Sequence, residues 1–381
     1  WSSRFGPTCL FGTVRTSHKT GRIALFDLDQ TLILTNSGFR FPQDENDWKW
    51  FSSKVPIKLK QLHAEGYAIF IISNQNSPRK ITTPQVYYAQ WKNKVALVAH
   101  ALQDVPFRIL AATAEDAYRK PLPGMWDAIN IILKDEGVTI NQEETFFVGD
   151  AAGRDRDHSA CDRKLAVNVG LQFYTPEEYF LGKATDKFQL KGFNPSSIRQ
   201  HPHYLPSQYP LVPSTKAGPV MVLFVGFPKM GKTTTYNEYF KPAGFVYVDQ
   251  QALGTKSKCM KLIEDSVKDG KSVVVDNSNH DKSTRMDYTD FASGLKLPVR
   301  CIVFDGGIDL SWHNQVYQAF IKEPVDGTEV SARHLEALQD FKTSYEPPTA
   351  SEKFKLKIIT IFWKFKGSDE EFKRYMMWLD F

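Results

Sequence analysis

A chain of 381 residues outgrows one hydrophobic core, because single cores stop growing at roughly 250–300 residues, so two domains are expected. With 42% hydrophobic and 24% charged residues, the composition is that of an ordinary folded protein, which excludes wholesale disorder and collagen-like repeats. A formal net charge of +5 is compatible with a polyanionic partner but does not require one.

From the amino end, four apolar, β-rich runs alternate with helix-compatible stretches: IALFDLD from Ile23, YAIFIIS from Tyr67, FRILAAT from Phe107 and TFFVGDA from Thr145. This rhythm predicts a parallel sheet covered by helices. Ligands of such sheets sit beyond the carboxyl ends of the strands. Each run ends there in polar residues, which are therefore expected to converge. From Phe193 to Pro219 the texture turns to Pro, Ser and Tyr without apolar periodicity, which reads as an extended connector. Buried-strand runs then restart as VMVLFVG from Val220, FVYVD from Phe245, SVVVDNSN from Ser272 and VRCIVFDG from Val299. The expected organisation is α/β throughout, with a first domain over 1–192, a linker over 193–218 and a second domain over 219–381.

An aspartate closing a buried strand is either costly burial or a reactive group, and its neighbours decide which. Here Asp27-Leu28-Asp29-Gln30-Thr31 sets two carboxylates two residues apart and matches DxDxT, so this half resembles the haloacid dehalogenase superfamily. The resemblance implies a Rossmannoid parallel sheet and a phosphatase. Asp27 would attack phosphorus to form an aspartyl-phosphate. Asp29 would protonate the leaving oxygen and later accept a proton from water. Mg2+ would be held by the Asp27 side chain, the Asp29 backbone carbonyl and Asp150 of FFVGDAAGRDRD. The remaining pieces follow in order: Ser73 and Asn74 of IISNQ as phosphate donors, and Lys120 of YRKPLPGMW to neutralise the phosphate and hold the nucleophile. Gln30 stands where that motif most often has glycine.

In the second half GFPKMGKT follows VMVLFV directly and fits GxxxxGK[ST], which predicts a P-loop NTPase parallel sheet. Gly226, Phe227, Pro228, Lys229, Met230 and Gly231, with Lys232, Thr233 and Thr234 at the helix start, form the expected ATP cradle. Lys232 would reach the outer phosphates and Thr233 would bind Mg2+. Asp276, Asn277 and Asn279 reach a strand end near the loop, where they could place metal or acceptor.

A phosphatase and a kinase would oppose each other on one group, but not on two ends of one substrate. DLDQTL, SNQN, RKPLPGMW, VGDAAGR, TPEEYF, VGFPKMGKTT, DNSN and YEPPT together resemble the polynucleotide kinase 3′-phosphatase family from about Arg22 onwards. The resemblance implies a monomeric nuclear enzyme of DNA strand-break repair that removes 3′-phosphates and phosphorylates 5′-hydroxyls with ATP. The alternative is an active phosphatase whose second domain only binds ATP or DNA. Its motive is two departures: Gln251 stands at the family's general-base aspartate, and Trp312 at an arginine of the lid. Glutamine has no basic oxygen, so Asp249, two residues earlier on the same strand face, is the expected base. Arg285 and Arg333 are the candidates to replace the lid arginine.

Cys9, Cys161, Cys259 and Cys301 are scattered without CxxC spacing, which argues against a zinc site or a disulfide framework and suits a reducing compartment. No apolar run approaches the roughly 18 residues of a membrane span, and the amino terminus lacks a signal-peptide layout. A soluble intracellular protein is expected, and a first residue of Trp1 rather than Met suits a piece of a longer chain.

Overall fold

The computed structural model of the protein describes residues 1–75, 84–198, 202–277, 279–322 and 332–380. Its contacts divide the described residues into two units, one holding Trp1–Phe193, 319–322 and 374–380, the other holding Asn194–Gln318 and 332–373.

The first unit is built on a six-stranded sheet in the order Cys9–Val14, Phe107–Ala112, Ala68–Asn74, Ile23–Phe26, Phe146–Val148, Gln172–Tyr174. All neighbours are parallel except Cys9–Val14, which runs antiparallel along one edge. Successive residues of Ile23–Phe26 point to opposite faces, and both faces are covered, so all four are buried. Ala24 and Phe26 pack with Leu59, Trp91 and Val95 from helices Lys54–Ala64 and Pro84–Ala101. Ile23 and Leu25 pack with Met125, Ile129 and Leu165 from Gly124–Asp135 and Cys161–Val169. The four runs expected as strands are the four inner ones, and their carboxyl ends carry Asp27, Ser73, Asn74 and Asp150 to one edge of the sheet.

The second unit repeats the plan in the order Val246–Asp249, Val273–Asp276, Met221–Val225, Val299–Asp305, Ile359–Phe362, Tyr204–Leu205. Its first five strands are parallel, and Tyr204–Leu205 joins the edge antiparallel, so the stretch expected as a connector contributes to this sheet. The same stretch is fastened further along, where the Arg300 guanidinium donates to the carbonyls of Pro210 and Leu211 at 2.6 and 3.1 Å. Among the described residues no helix is long and apolar enough to cross a membrane.

The Arg285 guanidinium is committed to other groups of the chain. It is fully buried, grips Glu352 through two bonds of 2.8 Å, and donates to the carbonyls of Asn279 and Glu346. Every described bond of its guanidinium is structural. The Arg333 side chain lies outside the described residues.

Candidate active sites

In the first unit the strand Ile23–Phe26 ends by passing Asp27 N to the Val148 carbonyl at 2.9 Å, which fixes the aspartate between two strand ends. The chain then turns tightly. Gln30 adopts φ +65° and donates its amide to Ile33 O at 2.7 Å, so glutamine occupies a left-handed position at which glycine would be unstrained. Asp27 is 6% exposed, and its Oδ1 accepts from Lys120 Nζ at 2.6 Å. The same ammonium reaches Asp162 Oδ1 at 2.7 Å and the Ile72 carbonyl at 3.1 Å. Burial opposes the charge of Lys120, but Asp162 and Asp27 outweigh it and keep the ammonium protonated well above its usual range. Lys120 is thus a fixed cation against Asp27.

Asn74 also has a structural part. Its Oδ1 accepts from Lys120 N at 2.9 Å and its Nδ2 donates to Lys120 O at 3.0 Å, a reciprocal pair that clamps the lysine backbone. Ser73 is 1% exposed and accepts from Gln75 Nε2 at 2.8 Å. The Asp29 carboxylate takes Lys94 Nζ at 2.9 Å and Gln75 Nε2 at 2.7 Å, and its charge is felt at Asp27.

Asp162 is a site residue the sequence reading missed. It stands in the first turn of Cys161–Val169, 1% exposed, with Oδ2 accepting from Ala151 N at 3.0 Å. The glycine of VGDAAGR makes room for it, since a Cβ on Gly149 would lie 2.6 Å from Asp162 Oδ2. That glycine was the available signal. Thr31, fully buried, donates to Asp150 Oδ1 at 3.3 Å, and the Arg154 guanidinium donates to the Asp150 carbonyl at 3.1 Å.

Asp27, Asp150 and Asp162 each bring a carboxylate oxygen within 4.8 Å of the others. Burial, opposed by Lys120 and reinforced by Asp162, pushes the Asp27 carboxyl up to about 7. Burial and the charges of Asp27 and Asp162 raise Asp150 well above the carboxylate range. Hard oxygen donors crowded to the point of resisting ionisation fit a divalent cation, which removes the repulsion. A carboxyl whose folded pKa is raised costs stability above its unfolded pKa, and the cost disappears as it protonates. In EDTA the first unit is therefore expected to melt at higher temperature as pH falls from about 8 to about 6. A saturating divalent cation should raise the melting temperature most at the upper end, and Asp150→Asn should remove both responses in differential scanning calorimetry.

In the second unit Gly226 has φ +148°, and a Cβ there would meet Phe304 O at 2.8 Å, so the loop after Met221–Val225 requires glycine. Gly231, at φ +85°, precedes the helix begun by Lys232–Thr235. Lys232 Nζ donates to the carbonyls of Gly226 and Phe227 at 3.1 and 2.9 Å. Burial lowers its proton affinity, and Asp276 partly offsets this. Thr233 Oγ1 lies 3.3 Å from Asp276 Oδ2 and 3.1 Å from Tyr247 OH, and the tyrosine hydroxyl also donates to Asp276. From the helix Ile308–Val316, Ser311 Oγ donates to Pro228 O at 2.7 Å and Asn314 Nδ2 to Lys229 O at 3.0 Å, fixing the loop from outside. Trp312, between them, is half-buried.

Asp249 stands beside Asp276 in strand register. Its Oδ1 caps Gln251 N at 2.8 Å, and its charge contributes to raising both Tyr247 and Asp276. Gln251 is exposed. Asn277 Nδ2 donates to Gln250 Oε1 at 2.8 Å, and Asn279 Nδ2 to Phe224 O at 2.8 Å, so these two amides brace the site's floor.

The Polynucleotide kinase 3 phosphatase family matches residues 22–180. A bifunctional polynucleotide phosphatase/kinase of Schizosaccharomyces pombe is 36% identical over 88% of this chain and 78% of its own length. A putative bifunctional polynucleotide phosphatase/kinase of Acanthamoeba polyphaga mimivirus is 30% identical over 94% of this chain and 90% of its own. The polynucleotide 3′-phosphatase ZDP of Arabidopsis thaliana is 32% identical over 43% of this chain and 24% of its own length. With a carboxylate and lysine centre on one sheet, a phosphate loop on the other and likeness running through both, the chain belongs to the bifunctional polynucleotide phosphatase/kinase family.

Proposed function

We propose that the first unit removes the 3′-phosphate from DNA ends and the second phosphorylates 5′-hydroxyls with ATP, preparing strand breaks for rejoining. The observation that carries the reading is the contact of 2.6 Å between Lys120 and Asp27, beside two further aspartates at the strand ends. An Asp27 oxygen attacks phosphorus, and the P–O3′ bond breaks with its electron pair moving to O3′. That oxygen takes the proton of Asp29 and leaves as a 3′-hydroxyl. Water then attacks phosphorus and gives its proton to Asp29, while the bond to Asp27 breaks and inorganic phosphate departs. Lys120 holds Asp27 and balances phosphate charge in both steps. Asp27 and Asp150, with the Asp29 carbonyl, would hold Mg2+, which when bound screens the phosphate from the carboxylates.

In the second unit Lys232 and the loop amides would bind the ATP phosphates, Thr233 and Asp276 would hold Mg2+, and Asp249 would accept the proton of the 5′-hydroxyl. A nuclear location belongs to this reading because chromosomal breaks are the proposed substrate. A nicked duplex carrying a 3′-phosphate and a 5′-hydroxyl, incubated with Mg2+ and γ-labelled ATP, tests both halves together. Phosphate release and label transfer to the 5′ end are the expected results. Neither product appearing would reject the reading, and release without transfer would leave the second unit as a binding module.

A further inference from the structure

The helix Pro84–Ala101 lays Trp91, Val95, Val98 and Ala99 into the core. Lys94 lies among them at 3% exposure. Among the described residues its ammonium meets a single partner, Asp29 Oδ1, at 2.9 Å. A buried cation is unfavourable unless paired, and an apolar side chain would serve the core better. A pair kept for stability alone would be sunk at both ends, yet the Asp29 side chain, two residues beyond Asp27, is 40% exposed.

The second oxygen of Asp29 is held as firmly as the first. Gln75, 4% exposed, donates Nε2 to Asp29 Oδ2 at 2.7 Å, and its own Oε1 accepts from Tyr87 OH at 2.9 Å. Tyr87 lies on the same helix as Lys94, so one element aims both oxygens, directly through Lys94 and through Gln75 from Tyr87. Each carboxylate oxygen keeps a lone pair for the exposed side.

We propose that Lys94 is a positioning residue for proton transfer, holding the Asp29 carboxyl group in the orientation from which it protonates the departing O3′ and later receives the proton of water. Gln75 completes the clamp. The assignment rests on Asp29 being the proton donor of the phosphatase.

Lys94→Met keeps the unbranched stem, one atom shorter, and removes the charge. In the full chain with saturating Mg2+, single-turnover rates are measured on a DNA 3′-phosphate and on p-nitrophenyl phosphate, whose leaving group departs without a proton. The DNA rate is expected to fall on the order of tenfold or more beyond any fall on the aryl ester, with the KM for DNA unchanged. Lys94→Arg should recover part of the loss, because it restores the cation. The ratio of the two rates is read on the same folded molecules, so partial misfolding cancels. Equal losses on both substrates, or no loss, would overturn the proposal. Asp29→Asn is the control: if it too spares the difference between leaving groups, the role of Asp29 itself is wrong, whereas selectivity in Asp29→Asn without selectivity in Lys94→Met rejects only Lys94.

Discussion

Asp27→Asn is expected to lower release of phosphate from a DNA 3′-end by at least about 10⁴-fold, a loss of about 5 kcal/mol of transition-state stabilisation. The substitution keeps the shape of the side chain and its acceptor oxygen but removes the nucleophilic carboxylate, and with it the covalent intermediate that divides the displacement into two steps. The fold should survive, because the charge removed belongs to a cluster that already resists ionisation. Lys120 keeps Asp162 at 2.7 Å and the Ile72 carbonyl at 3.1 Å. A melting temperature in EDTA equal to or above that of the unsubstituted chain, with 5′-phosphorylation intact, would accompany the loss. Undiminished release in the Asn variant would remove Asp27 from the nucleophile's place.

The parts legible in the sequence were those whose signal is continuous along the chain. Seven of the eight apolar runs became inner strands, because a strand buried on both faces must be apolar throughout; the eighth, Val246–Asp249, lies at an edge, and the inner strand Ile359–Phe362 escaped. The edge strands Cys9–Val14 and Gln172–Tyr174 escaped, being partly exposed and too short or too mixed to stand out. At the site, Asp27 and Asp150 were legible because each follows a strand run, and Lys120 through the family resemblance carried by RKPLPGMW. Asp162 and Lys94 were not, since each is one charged residue among others in a helix, and only folding shows that its charge points inward. Asn74 shows a subtler limit: its place beside the site was readable, but its clamp on Lys120 depends on a segment 46 residues away.

Asp249→Asn is expected to lower label transfer from ATP to a 5′-hydroxyl by about 10²-fold or more, the range of a lost general base. Asp249 lies beside Asp276 in register, and its charge is felt at Tyr247 and Asp276, within the group of side chains that includes Thr233 and Lys232. Oδ1 is committed to the Gln251 amide at 2.8 Å, which fixes the carboxylate and leaves Oδ2 to accept a proton. Gln251 offers an amide that cannot accept a proton at neutral pH, so Gln251→Asn should change transfer little, while Gln251→Asp supplies a second carboxylate at an exposed position two residues after Asp249. In an Asp249→Asn background Gln251→Asp should restore part of the activity, and Lys232→Ala should abolish it in every background, because no base compensates for the cation on the transferred phosphoryl group. If Asp249→Asn transfers label at the unsubstituted rate, proton removal in this domain is done by another group, and the departure at Gln251 is answered elsewhere in the site.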